Sequence, residues 1–462
     1  MLSALLVTAV AVLSVASSAA GASALTPGKL RGVVENSGVC ETTSGVYQAS
    51  GYGDISTDGS VWFWFFEARN NPDTAPLTVW LQGEGGTSSM VGLLTENGPC
   101  RLNDDQKTVS LNMYSFNQVS NVLYIDQPIG VGFSYGSRNT SDTQTAASDV
   151  WQFLQIFFAD SRFAKYQKND FGLWSEHYGG SLVSTFATYL LDQNDAIDAG
   201  TIPGVKINVK NIGIGGPYMD PLLQLPYYLD YAVGNPYTQL VSASAILKQD
   251  RLWYATDNSG IQLKVQNCYA NDTNNRLICW DAGLAADENF IAPLSGSYSP
   301  LHVNSNASDL STTTYLTNPA IASKIGATSS TYTENNIDVA YNFKSTGSWI
   351  RNSRPLLEGL INKNILVGMW SGDADFVGNY MMTEALASDL NTNATFDFYF
   401  TQWSPYKVGG QTVGQFKQLP PFSYVRFTGA GHNLGNFGTE TLGRGEAALA
   451  FFNQTIHGQT IA

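Results

Sequence analysis

Positive charge is scarce in this chain. Its 462 residues hold 24 Lys and Arg against 38 Asp and Glu, and only 4 His. A net charge of −14 argues against nucleic acid or an anionic membrane as partner, because both would repel it. Charged residues of all kinds make up only 13%. Beyond the first residues no apolar run is long enough to span a bilayer, so no membrane helix is expected in the mature chain. Cysteine is also rare. Cys40, Cys100, Cys268 and Cys279 show no C-x-x-C spacing, which argues against a zinc or redox motif. No internal repeat or low-complexity tract appears, which leaves out solenoids and disordered tails.

What is present describes a packed, exported protein. Hydrophobic residues make up 43% and aromatics 12%, enough for a large core. The length exceeds a usual single domain, yet suits one α/β domain carrying a large insertion. Residues 1–24 read as a signal peptide, with an apolar run from Leu5 to Val15 and the small-residue site Ala22-Ser23-Ala24. Secretion is the expected route, with vacuolar delivery as its variant. Four cysteines fit an oxidising compartment and allow three pairings. We expect Cys268–Cys279, which closes a short loop, and Cys40–Cys100 by elimination. N-x-S/T sequons at Asn139, Asn271, Asn306, Asn393 and Asn453 fit a secreted glycoprotein.

The hydrophobic pattern alternates between strand and helix. Strands are expected at Ser60–Glu67, Leu77–Leu81, Asn121–Ile125, Val209–Ile214, Ile365–Trp370, Phe396–Phe400 and Tyr424–Phe427. Helical spacing marks Thr145–Ala159, Ser181–Asn194 and Glu440–Phe452. This is an α/β pattern: a central, mostly parallel sheet flanked by helices. Residues 25–216 and 355–462 form the expected core. Residues 217–354, with a Ser/Thr/Asn-rich stretch, read as an inserted cap over the sheet's C-terminal edge, where α/β folds bind ligands.

The chemistry centres on Trp174-Ser175-Glu176-His177-Tyr178-Gly179-Gly180. This has the layout of a nucleophile elbow, a strained strand-to-helix turn that holds one reactive side chain above a sheet. Here the middle residue is a histidine. Asp375 follows one late strand and His432 follows the last, so the chain order is residue 177, then acid, then histidine. In that order Asp375 would orient His432, which would face His177.

Several longer blocks extend the pattern. Thr95-Glu96-Asn97-Gly98-Pro99, the run NVLYIDQPIGVGFSYG from Asn121 to Gly136, Gly372-Asp373-Ala374-Asp375 and Ala430-Gly431-His432 together resemble the serine carboxypeptidases. That resemblance implies an α/β-hydrolase fold and an exopeptidase ancestry, and it spans nearly all of the mature chain. It also locates departures. The family's nucleophilic Ser aligns with His177, and its oxyanion-hole Gly aligns with Glu84. The Asn that helps hold the substrate carboxylate aligns with Gln82. Glu96 and Glu176 match the family's acidic pair for that carboxylate, and the N–H groups of Glu84 and Tyr178 match its oxyanion hole.

Loss of a triad's nucleophile typically lowers turnover about a million-fold. Imidazole attacks activated esters but is a poor substitute on amides, because the tetrahedral adduct expels imidazole before the more basic amine. Peptide hydrolysis is therefore expected to be lost or vestigial. Three readings follow. In the first, His177, His432 and Asp375 perform acid–base chemistry on a small molecule. In the second, the cleft binds a ligand or peptide without chemistry. In the third, a weak carboxypeptidase or esterase persists. No spacing supports a metal or cofactor.

Overall fold

A computed structural model describes residues 25–461, apart from 84, 271–275, 306–309, 328–331, 394 and 440. The expected signal peptide, Glu84 and the sequons at Asn271 and Asn306 therefore lie outside the described residues. Among the described residues the strands are, in chain order, β1 (Lys29–Glu35), β2 (Gln48–Ser56), β3 (Gly59–Phe66), β4 (Leu77–Trp80), β5 (Cys100–Leu102), β6 (Val109–Leu111), β7 (Asn121–Ile125), β8 (Tyr135–Gly136), β9 (Phe171–Glu176), β10 (Val209–Gly215), β11 (Leu366–Gly372), β12 (Ser404–Val408), β13 (Gln411–Leu419) and β14 (Phe422–Phe427). The main sheet runs β1-β2-β3-β7-β4-β9-β10-β11-β14-β13-β12, with β8 paired to β3. β5 and β6 form a separate hairpin.

The middle of the sheet, from β7 to β14, is parallel. Runs such as LTVW and NVLYI are apolar on both faces, as a strand covered on both sides requires. Antiparallel strands close both edges, so the sheet is mixed and the expected parallel character belongs to its centre. β3 shows how one strand feeds two cores. Phe63 and Phe65 enter the layer that contains helices Thr143–Ala159 and Gly179–Asp198. Trp62, Trp64 and Phe66 enter the opposite layer, under helix Glu446–Ile456. In that second layer Phe452 stacks on Phe116 with ring centroids 3.9 Å apart.

Between β10 and β11 the described residues form helices and turns, including Tyr227–Gly234, Ala243–Trp253, Ile261–Ala270, Arg276–Leu284 and Ile337–Ser345. They gather a third apolar cluster around Tyr228, Trp253 and Phe290. The Cys268–Cys279 disulfide joins Ile261–Ala270 to Arg276–Leu284, and Cys40–Cys100 ties β5 to the segment after β1. Both pairings are the expected ones.

Three expectations need correction. Phe396–Phe400 is not a strand: helix Thr395–Phe400 occupies the site, and Thr401 N–H donates back to the Asp397 carbonyl at 3.0 Å. Among the side chains described there, Phe398 is buried against Phe422, while Tyr399 and Phe400 face solvent. Aromatic strand propensity gave way to this one-sided packing. The C-terminal helix begins at Glu446, after the positive-φ Gly445; of the expected start, residues 441–445 are not helical and Glu440 lies outside the described residues. The helix after the elbow starts at Gly179, two residues earlier than expected, and runs on to Asp198.

Candidate active site

The site is assembled where the parallel strands end. β9 stops at Glu176, helix Gly179–Asp198 begins three residues later, and His177 takes φ +50° between them. Left-handed backbone is costly for a side chain of this size, so the turn must be held from outside. It is: His177 N–H donates to Gly215 O at 2.7 Å, and the His177 carbonyl accepts from Gly180 N at 3.0 Å and Tyr218 N at 3.1 Å. Ser175 donates its hydroxyl to Leu81 O at 2.6 Å, which commits it to structure. A Cβ at Gly179 would strike that hydroxyl, so the small residue is required.

Asp375 and His432 sit on the loops after β11 and β14. The Asp375 Oδ2 to His432 Nδ1 distance is 2.9 Å, and both side chains are 2% exposed. An ionised Asp375 places the proton on Nδ1 and leaves Nε2 for chemistry. The His177 and His432 ring centroids lie 5.9 Å apart at 70°. All three expected residues therefore meet at one point.

The other expected residues take separate places. Glu96, on the turn Leu93–Asn97, and Glu176 are both buried and line one gap of about 10 Å³ with Trp80, Trp174 and Trp370. That volume holds a single water at most. Gln82 is also buried, but its Oε1 accepts from Trp80 Nε1 at 3.3 Å and Gly92 N at 3.2 Å. Tyr178 stands directly after the elbow, its hydroxyl within 2.8 Å of Ser348 Oγ. Glu84 lies outside the described residues. Among the described residues no group of three or more His, Cys, Asp or Glu side chains gathers to hold a metal.

The helical insertion supplies residues that sequence reasoning missed. Trp349 roofs the elbow, with centroids 5.5 Å from His177, 4.7 Å from Tyr178 and 5.6 Å from Tyr218. Its Nε1 donates to Asp287 Oδ1 at 3.2 Å, while Lys344 Nζ donates to Asp287 Oδ2 at 2.6 Å. Tyr218 completes the enclosure, 5.5 Å from the His177 ring. Burial holds the Tyr218 hydroxyl well above its ordinary pKa, so it remains protonated.

Asp126 anchors the loop that precedes the site. Its fully buried carboxyl accepts from Ser88 Oγ at 2.6 Å, Ser89 N at 3.0 Å and Phe133 N at 2.9 Å. Burial nevertheless pushes its pKa up to about 6, against the opposing pull of those donors. The only sequence signal was an acid at the end of a buried strand.

Known proteins place the chain among relatives. A model of the serine carboxypeptidases matches residues 39–458. The chain is 36% identical over 435 residues to Carboxypeptidase S1 of Penicillium janthinellum, covering 93% of this chain and 99% of that protein. It is 31% identical over 397 residues to Carboxypeptidase Y of Komagataella phaffii, covering 83% and 72% respectively. Its fold is similar to the crystal structure of a prohormone-processing carboxypeptidase from Saccharomyces cerevisiae, with a TM-score of 0.68 at 20% identity, covering 89% of each chain. An elbow, a buried Asp–His pair and an α/β-hydrolase sheet in the order just described, with these matches, mean that the chain belongs to the serine carboxypeptidase family.

Proposed function

We propose that this is a secreted carboxypeptidase homologue in which His177 stands in place of the nucleophilic serine, and that it performs acid–base chemistry on a small molecule. The observation that carries the reading is the contact of two imidazoles, 5.9 Å apart by centroid, with one oriented by a buried carboxylate. Two rings so close do not both take a proton cheaply, which leaves one acid and one base side by side. Such a pair suits elimination, isomerisation, cyclisation or attack on an ester through an activated water. Peptide bonds are poor substrates here, because an imidazole adduct would expel imidazole before the amine. The expected signal sequence, the disulfides and the exposed Asn139 and Asn393 side chains support a secretory or vacuolar route and glycosylation.

The packing of Tyr218 and Trp349 on His177 favours a second reading, in which the cleft binds a ligand without turnover. One assay separates the two, and also tests for the carboxypeptidase activity that the relatives are named for. Wild type, His177→Ser and His177→Ala are compared on blocked dipeptides and an activated ester, from mildly acidic to neutral pH. The proposal expects ester turnover that falls in His177→Ala, and no peptide cleavage by wild type. Wild-type peptide hydrolysis that depends on His177 would overturn it. Ester turnover that is absent in wild type and in His177→Ala alike favours the binding reading.

A further inference from the structure

The hydrogen-bonded ladder between β11 and β14 ends at the rung Gly372–Phe427. Beyond it the two loops that carry Asp375 and His432 need other links to stay in register. Asp373 supplies one. Its Oδ1 accepts Gly429 N–H at 2.7 Å, and its own N–H donates to Phe427 O at 3.0 Å. The next residue, Ala374, donates to Ala430 O at 2.9 Å. Asp375 is two positions beyond this carboxylate on one loop, and His432 is three beyond Gly429 on the other.

The helical insertion reaches the same carboxylate. Tyr231, on helix Tyr227–Gly234, donates its hydroxyl to the Asp373 carbonyl at 2.8 Å. Tyr237 follows in a turn fixed by Asn235, whose Oδ1 accepts from the N–H groups of Tyr237 and Thr238, each at 3.0 Å. The Tyr237 hydroxyl donates to Asp373 Oδ1 at 2.5 Å. Burial, with Asp373 beside it, keeps that hydroxyl protonated well above its ordinary range, so it remains a donor. A second arm of the insertion grips both loops through its backbone: Leu301 O accepts His432 N–H at 2.8 Å, and Val303 N–H donates to Ala374 O at 2.8 Å.

We propose that Asp373 is a positioning residue. Its carboxylate holds the two loops at the spacing where Asp375 meets His432, and Tyr237 makes that spacing depend on the seating of the insertion. The inference deepens the acid–base reading and rests on it for its functional meaning, but its geometry can be tested without any substrate. The signature is the far-downfield proton resonance of His432 Nδ1–H, observed by proton NMR on the full secreted protein. Asp375→Asn identifies the resonance by abolishing it.

Loss of one hydrogen bond of this kind corresponds to about tenfold in an equilibrium. Asp373→Asn and Tyr237→Phe are therefore expected to speed exchange of that proton with water about tenfold and to broaden the resonance. The melting temperature of Tyr237→Phe should stay within a few degrees of wild type. A resonance unchanged in a folded Tyr237→Phe overturns the proposal, whether or not Asp373→Asn folds. So does a melting temperature that drops while the resonance stays as in wild type, since that marks a purely structural role. A wild type inert on every substrate would sink the catalytic reading and leave this measurement standing.

Discussion

Asp126 should make the fold more stable as the medium becomes mildly acidic. Its folded pKa of about 6 lies above the ordinary carboxyl value of 3.8 because burial disfavours the anion. The sign follows from proton counts. Between those two pH values the folded state keeps the proton while the unfolded state releases it, so stability falls as pH rises through the window. Above pH ~6 the full cost is present, about 3 kcal/mol for a separation of this size. Below the ordinary value it vanishes. When protonated, Asp126 can donate to Ser88 Oγ while its other oxygen continues to accept from Phe133 N–H. Unfolding entropy for a chain of 462 residues is about 1 kcal/mol per kelvin, so the effect on melting temperature is about 3 °C. Other carboxylates titrate in the same range, so the measurement is a difference: melting temperature against pH for wild type minus that for Asp126→Asn. The difference should rise by about 3 °C as pH falls from neutral to pH ~4. A flat difference, or one that rises with pH, would show that the donors around Asp126 outweigh its burial, and the reasoning would fail.

Two further outcomes follow from the same packing. A Cβ at Gly83 would land on the Glu176 carbonyl, so Gly83→Ala must push the loop off the elbow, costing ~1–3 kcal/mol by urea unfolding; a loss below ~0.5 kcal/mol would mean the loop yields freely. Removing Cys40–Cys100, with a sequence separation of 60, should cost about 4 kcal/mol, against about 3 kcal/mol for Cys268–Cys279 with its separation of 11. The reverse order in paired Cys→Ser variants would count against loop closure as the source of that stability.

The legible parts of this fold were those with a local physical signature. The central strands are apolar on both faces and read as buried runs. The elbow announces itself through Gly179 and Gly180, where a helix must start against other chain segments. β1, β2, β12 and β13 escaped notice because the strands at and next to the two edges of the sheet are polar or Gly-rich: KLRGVVE and QASGYGDIS carry no clean alternation. The order of residue 177, Asp375 and His432 could be read from the ends of strands. The roof over them could not, because Tyr178 and Ser348 meet across 170 residues and Trp349 arrives from a helical segment with no catalytic motif. The Glu96–Glu176 pair was visible only through resemblance. Nothing in a buried strand end alone distinguishes a paired carboxyl from a cofactor ligand.

The backbone at the elbow and the chemistry at its tip obey different constraints. The His177 φ is enforced by bonds to Gly215, Gly180 and Tyr218 that involve only main-chain atoms, so the turn would hold with many side chains at that position. Its geometry alone therefore says little about use. The Asp375–His432 pair says more. A buried, hydrogen-bonded polar pair is a weak source of stability, and apolar residues of similar volume often stabilise a core as well or better. Here the pair is held with both side chains 2% exposed, and two separate arms of the insertion reach the loops that carry it. Packing does not require that arrangement. An imidazole kept oriented beside a second imidazole does require it, which is the arrangement that the proposed acid–base chemistry needs.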